Sequence, residues 1–209
     1  MNIAVRFLLS RYGGKVIRKE ELKKVCERFG IDVDYLVHHL ISYGYVVRVL
    51  RGLYYVKTVE EFKLKKALRP LEIIGLGLDK LGVKWYYGLF TALRLNALTH
   101  EYFARIFILN DRIYRSKTLK IYGENVEFIK IKPGLTEFGV TDRGRIKYSD
   151  VEKTLLDFLY LSRYNPKLRP TAENVVMEYW DAANKEKIRE YLTYYPVSLR
   201  KVLENEGLL

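Results

Sequence analysis

The chain predicts an α+β fold: an N-terminal winged helix-turn-helix, then a mixed α/β domain, then a C-terminal helical cap. Three observations carry that prediction. Residues 16–56 hold two short amphipathic helical stretches around a Gly-containing turn, followed by two apolar segments hinged on Arg51-Gly52, which is the order helix, turn, helix, ribbon. Residues 85–148 are mostly short extended segments separated by Gly-containing turns. Beyond residue 149 the apolar spacing becomes helical, broken only at Asn165-Pro166 and Arg169-Pro170.

The first element is a helix over residues 2–12, with Ile3, Ala4, Phe7 and Leu8 on one face and Gly13-Gly14 as its stop. Val16 and Ile17 form a short extended piece. Lys19–Phe29 is the second helix, with Leu22, Val25, Cys26 and Phe29 in one apolar stripe and Gly30 closing it. Asp32 caps a third helix whose inner face is Val33, Leu36, Val37, Leu40 and Ile41. Tyr45–Leu50 and Leu53–Val56 then pair as a hairpin.

In a winged helix-turn-helix the solvent face of the third helix meets base edges in the major groove. Here that face carries Tyr35, His38, His39 and Ser42, all capable of hydrogen bonding. Arg51 at the ribbon tip and Arg48 beside it suit a phosphate or a narrow minor groove. Lys15, Arg18, Lys19 and Lys23 are placed to hold backbone phosphates. The expected partner is double-stranded DNA, although winged helices also serve as protein-interaction modules. Adjacent histidines on a helix point about 100° apart, so His38 and His39 do not read as a metal pair. With one cysteine and three histidines no ordinary structural zinc site is expected, and no cofactor is.

The charge agrees with a polyanionic partner. The chain carries a formal +12, distributed as +6 over residues 1–57, +7 over 58–149 and −1 over 150–209. The same abundance of Lys, Arg and Glu, with no Gln and 18 Tyr, also fits a protein of a thermophile. Cys26 lies on an apolar helix face and reads as a buried thiol, consistent with a reducing interior. The N-terminal apolar cluster is interrupted by Arg6 and too short to span a membrane, so a cytoplasmic protein is expected.

Thr58-Val-Glu-Glu61 has the form of a capping box and opens a basic connector helix to about Leu68, carrying Lys63, Lys65, Lys66 and Arg69. The boundary is expected there, giving domains 1–69 and 70–209. A buried helix over 71–81 follows, with Gly75 and Gly77 permitting close packing. Strands are expected at Trp85–Tyr87, Ala104–Leu109, Leu119–Tyr122, Val126–Lys132, Phe138–Val140 and Arg145–Tyr148, with a helix at Leu89–Leu95. Ser149-Asp-Val-Glu152 reads as a second capping box, opening a helix whose Lys153 and Asp157 form an i,i+4 pair worth about 0.2–0.5 kcal/mol. Three shorter helices are expected near 171–183, 185–194 and 197–206.

Catalysis is not expected. A metal nuclease commonly needs E-x-K on a strand, and Glu127-Phe-Ile-Lys130 puts its two side chains on opposite faces. Glu61-Phe-Lys63 has that spacing on a helix, and no phosphate-binding G-x-x-x-x-G-K-[ST] occurs. A DNA-processing enzyme is therefore the weakest alternative.

Several motifs resemble one family. The ribbon Arg48-Val-Leu-Arg51-Gly52-Leu-Tyr54 is followed by WYYGLFTALRLNALT, KIYGENVEFIKIKP, EFGV and SDVEKTLLDFL. In this order over residues 5–165 they resemble the AbiEi-type antitoxins of bacterial and archaeal abortive-infection systems, a type IV toxin–antitoxin class. Asn96-Ala97 departs from the His-Gly or Tyr-Gly pair common there, and the C-terminal helical tail has no counterpart in the motifs. The resemblance implies a transcriptional regulator whose N-terminal domain binds operator DNA and represses its own operon. Its C-terminal domain would counteract a nucleotidyltransferase toxin, with or without direct contact. Glu152, Lys153 and Asp157 match the family motif, and a capped, ion-paired helix accounts for them without activity. The competing reading is a stand-alone winged-helix transcription factor with a ligand-binding or dimerising C-terminal domain. No dimer-forming stripe stands out, which leaves the oligomeric state open.

Overall fold

The computed structural model describes residues 3–64 and 68–208. The protein is a mixed α+β chain ending in helices, and it divides into two compact units. The first comprises residues 1–83 with 120–124, the second residues 84–119 with 125–209.

The first unit runs α1 (Ile3–Tyr12), β1 (Val16–Arg18), α2 (Lys19–Phe29), α3 (Val33–Ser42), β2 (Val46–Leu50), β3 (Leu53–Val56), α4 (Val59–Leu64) and α5 (Pro70–Leu81). Its strands form an antiparallel sheet in the order β1-β3-β2. Gly52, at φ +77, supplies the left-handed residue of the β2–β3 turn, a conformation that favours glycine. The core is built from Val5, Leu8, Leu22, Cys26, Leu36, Leu40, Val46 and Val56. Cys26 is buried, and burial pushes its thiol pKa up.

Three expectations shift here. The inner face of α1 is Ala4, Val5, Leu8 and Leu9, with Ile3 exposed. The face is rotated because Phe7 packs edge-on against Phe29 at 5.5 Å instead of entering the core. Ile41 of α3 is likewise exposed. The connector helix α4 opens at Val59. Its capping box is formed, with the Glu61 amide donating to Thr58 Oγ1 (3.1 Å) and the Thr58 amide to Glu61 Oε2 (2.7 Å), and the helix is described to Leu64. Lys65 and Lys66 lie outside the described residues. The division of the chain falls after Val83, not after Arg69. The reason is α5, which packs on all three strands of the first sheet. A Cβ on Gly77 would stand 2.5 Å from Val49 Cγ1, so the absence of a side chain there is what lets α5 approach β2.

The second unit contains β4 (Trp85–Tyr87), α6 (Leu89–Leu95), β5 (Ile106–Asn110), β7 (Glu124–Lys130), β8 (Val140–Asp142), β9 (Lys147–Ser149) and the helices α7 (Val151–Ser162), α8 (Arg169–Tyr179), α9 (Lys185–Tyr191) and α10 (Val197–Asn205). With β6 (Leu119–Ile121), the described strands make a six-stranded sheet in the order β6-β7-β5-β4-β9-β8. The β5–β7 and β4–β9 pairs are parallel, and β4–β5 and β8–β9 antiparallel. Helix α7 is the hub: α6, α8 and α9 all pack on it, and Leu155, Leu156, Phe158 and Leu159 feed the core.

The β8–β9 pair lies about two residues beyond its expected place. Phe138 is drawn into ring contacts with Tyr191, Tyr194 and Tyr195, and Gly139 turns at φ +61 before β8 begins. The cap of α7 also differs. Asp150, not Ser149, is the N-cap and accepts from the Lys153 amide at 3.0 Å. Ser149 instead shares a 2.7 Å hydrogen bond with the Thr154 hydroxyl. Asn96 ends α6, and its side-chain amide donates to the carbonyls of Ala92 and Ser149, both at 2.9 Å. Ala97 then takes φ +58, a left-handed conformation that favours glycine. Among the described residues no helix is long and apolar enough to cross a membrane.

Candidate nucleic-acid interface

Asp32 fixes the start of α3 by accepting from the Tyr35 amide at 2.8 Å. With Leu36 and Leu40 turned into the core, Tyr35, His38 and Ser42 are left on solvent at i, i+3 and i+7. His38 Nδ1 and Ser42 Oγ lie 3.5 Å apart. His39 behaves differently from its neighbour. It is half-buried in a run of rings, 4.4 Å from Tyr43 and 6.2 Å from Tyr35 between centroids. Tyr45 stacks on Phe62 at 4.7 Å and continues the run. The polar face expected of four residues is therefore three residues plus an aromatic ridge, and that ridge includes exposed Tyr43, which the helical spacing alone did not single out.

Lys15, Arg18, Lys19, Lys23, Arg48 and Arg51 are all exposed, but they are not equally free. Lys19 Nζ meets Asp34 Oδ1 at 2.7 Å, and that hydrogen bond and charge raise the ammonium pKa. Arg18 Nη2 donates to the Lys80 carbonyl at 3.3 Å, and its amide to Glu21 Oε2 at 2.9 Å. Burial pushes the Glu21 carboxyl up, but the Arg18 amide and Lys80, 2.9 Å away, outweigh it and hold the pKa low. Arg48, Arg51, Lys15 and Lys23 enter no ion pair among the described residues. The open positive charge of this unit therefore sits on the ribbon and its flanks more than at the start of α2.

Glu152, Lys153 and Asp157 sit in the second unit, in a wholly different environment. Lys153 and Asp157 are both fully buried, with Nζ and Oδ1 3.4 Å apart. Asp157 also accepts from Tyr86 Oη at 2.7 Å and Tyr195 Oη at 2.6 Å. The Lys153 ammonium lies 3.3 Å from Tyr195 Oη and over the rings of Phe138 (4.3 Å) and Tyr86 (4.8 Å). The i,i+4 pair expected at this spacing is thus a fully buried ion pair, because Tyr86 and Tyr195 close over it from β4 and from the segment before α10. Burial lowers the Lys153 pKa and raises that of Asp157, each against the pull of the other. No buried side-chain nitrogen or oxygen lacks a partner among the described residues.

A second tier surrounds this pair. Asp150 accepts from Lys187 Nζ (2.9 Å) and Tyr191 Oη (2.8 Å). Glu152, far from closing a capping box, accepts from the Asn184 amide (2.9 Å) and Lys187 (3.2 Å). Burial pushes the Glu152 carboxyl up, but the Asn184 amide and Lys187 bring its pKa below the ordinary value. The acids of α7 thereby tie α9 and the segment before α10 to the hub. Among the described residues no group of three or more His, Cys, Asp or Glu could hold a metal. Asp150, Tyr86 and Tyr195 were not singled out in advance. Asp150 is adjacent to an equally good cap in Ser149, and the two tyrosines lie far from α7 in sequence.

No protein-family model and no curated protein matches this chain. Among solved structures it is similar to the Rv2827c protein from Mycobacterium tuberculosis, with a TM-score of 0.54 at 14% identity over 93% of this chain and 71% of that one. At that identity the likeness carries the fold alone.

Proposed function

We propose that this protein is a cytoplasmic winged helix-turn-helix transcriptional repressor, and that it also acts as the antitoxin to a nucleotidyltransferase-type toxin. The observation that carries the DNA-binding half is the open face of α3. Tyr35, His38 and Ser42 lie together on solvent, in a unit whose α1-β1-α2-α3-β2-β3 order ends in a ribbon tipped by exposed Arg51. Side chains at such a spacing on a second helix of a helix-turn-helix reach base edges, while ribbon arginines hold the backbone or a narrow minor groove. The target would be the operator of its own operon. The antitoxin half rests on the resemblance of the segments around α6, β7 and α7 to the AbiEi type.

Two experiments test these halves separately. A mobility-shift assay on the DNA upstream of the gene should show a complex that His38→Ala and Arg51→Ala each weaken at matched salt. Binding by both variants equal to the parent removes the recognition-face assignment. Co-expression with the product of a neighbouring nucleotidyltransferase gene should restore growth. If the protein neither protects cells nor alters that toxin's activity, the stand-alone transcription factor replaces the antitoxin reading.

A further inference from the structure

The loop that leaves β5 carries a second concentration of positive charge, and its construction differs from that of ordinary surface loops. Asn110 is fully buried at the end of β5. Its side-chain oxygen accepts from the amides of Arg112 (3.0 Å) and Ile113, and its side-chain nitrogen donates to the carbonyls of Ile113 (3.1 Å) and Ile129 (3.2 Å). One buried amide therefore fixes the first turn of the loop and ties it to β7. Beyond that turn come Arg112, Tyr114, Arg115 and Lys117, all exposed.

The parallel register of β5 and β7 adds to this end of the sheet. Lys130 is paired with Asn110, and Lys132 follows two residues later, both exposed. The acids of the neighbourhood are occupied or distant. Asp111 Oδ1 accepts from the Lys84 amide at 3.2 Å, and Glu127, at the middle of β7, is held by Arg105 at 3.1 Å. None of Arg112, Arg115, Lys117, Lys130 and Lys132 enters an ion pair among the described residues. Tyr114 is 72% exposed and makes no hydrogen bond or ring contact there. An exposed ring flanked in sequence by two unpaired arginines, at the end of the sheet that also carries two unpaired lysines, is the combination that stacks a base while cations track its phosphates.

The geometry points to a binding surface for an unpaired nucleic-acid strand on this loop, with Tyr114 as the stacking platform and Arg112, Arg115, Lys117, Lys130 and Lys132 as the phosphate contacts. A duplex buries its base faces and offers Tyr114 nothing to stack on, so the strand must be single. None of its residues belongs to the α3 face or the ribbon. The test uses the full-length protein with fluorescein-labelled oligo(dT), oligo(U) and an unrelated duplex, read by anisotropy. Tyr114→Ala should weaken strand binding by about tenfold, the size expected for one stacked base. Arg112→Ala with Arg115→Ala should lower the slope of log K against log salt by about 1.4, at about 0.7 for each phosphate contact on a single strand. These positions are exposed, so the variants should keep the parent's melting temperature. A preference for either oligonucleotide supports the surface. Equal binding of strand and duplex, or no change with Tyr114→Ala, overturns it. Arg51→Ala should leave strand binding unchanged, and the loop variants should leave the operator shift unchanged, so either surface can fail without the other.

Discussion

The exposed face of the first unit and the core around α7 in the second hold their charges in opposite ways. On the first, Arg48, Arg51, Lys15 and Lys23 stand in water without acidic partners, and His38 and Ser42 meet only each other. In the second, Lys153 and Asp157 are sealed from solvent, and among the described residues no buried side-chain nitrogen or oxygen lacks a partner. An exposed, unpaired group retains its full capacity to bind something else, at little cost to stability. A buried, satisfied one has given that capacity to the fold, and breaking its set leaves a charge stranded in low dielectric. The α3 face is accordingly where substitutions should change binding, and α7 is where they should change folding.

The largest effect is expected at α7. Asp157→Ala strands the Lys153 ammonium and takes the acceptor from two tyrosine hydroxyls, and should cost about 3–5 kcal/mol in urea unfolding. Adding Lys153→Met should recover much of that loss, since the uncompensated charge is then gone. A small loss in Asp157→Ala would show that water reaches the pair, and the contrast with the first unit would weaken. Gly77→Ala comes next. The added methyl meets Val49 Cγ1 at 2.5 Å, and overpacking of this kind costs about 1–3 kcal/mol. That variant also checks that α5 belongs with the first sheet, because a helix resting loosely there would accept the methyl.

On the binding side, His38→Ala should cost about 1–3 kcal/mol on operator DNA if His38 touches a base edge. It should leave the melting temperature unchanged. A pH effect sharpens the contrast from the other unit. Burial and the Asp150 carboxylate push the Tyr191 phenol pKa up to about 12 from 10.0. The folded value lies above the unfolded one. The contribution of this group is therefore complete below pH 10.0 and is lost as pH rises through about 12. Unfolding free energies of the parent and Tyr191→Phe, followed across that window, should converge at the alkaline end. Parallel curves would mean that the Tyr191–Asp150 bond does not form. The smallest expected effect is Ala97→Gly, which relieves a left-handed non-glycine residue and, less the greater entropy glycine loses on folding, should stabilise by about 0.5–1 kcal/mol.

Local order was legible in the sequence; long-range partnership was not. The Gly-punctuated helices, the hinge at Arg51-Gly52 and the Thr58–Glu61 capping box follow from propensities that act over a few residues, and these elements stand where the sequence places them. Lys153 and Asp157 were visible as a pair but not as a buried one, because the residues that enclose them come from β4 and from the chain before α10. Their i,i+4 spacing is the same on a wet or a dry helix. The Ser149-Asp150 ambiguity has the same root: both side chains cap well, and the choice was settled by Lys187 and Tyr191 on a distant helix. At α3 the spacing gave the exposed face. It did not foresee that His39 would join Tyr35 and Tyr43 in a ring stack, since ring contacts depend on side-chain rotamers and not on helical phase alone.

The most direct test of the account is a salt titration of operator affinity for the parent and Arg51→Ala, with His38→Ala run on both the operator and a scrambled duplex. Arg51→Ala should reduce the slope of log K against log salt by about 0.9, the signature of one lost phosphate contact on duplex DNA. His38→Ala should narrow the preference for operator over scrambled duplex while leaving that slope intact. Unchanged slope and unchanged preference in folded variants would contradict the claim that α3 and the ribbon form the DNA-reading surface.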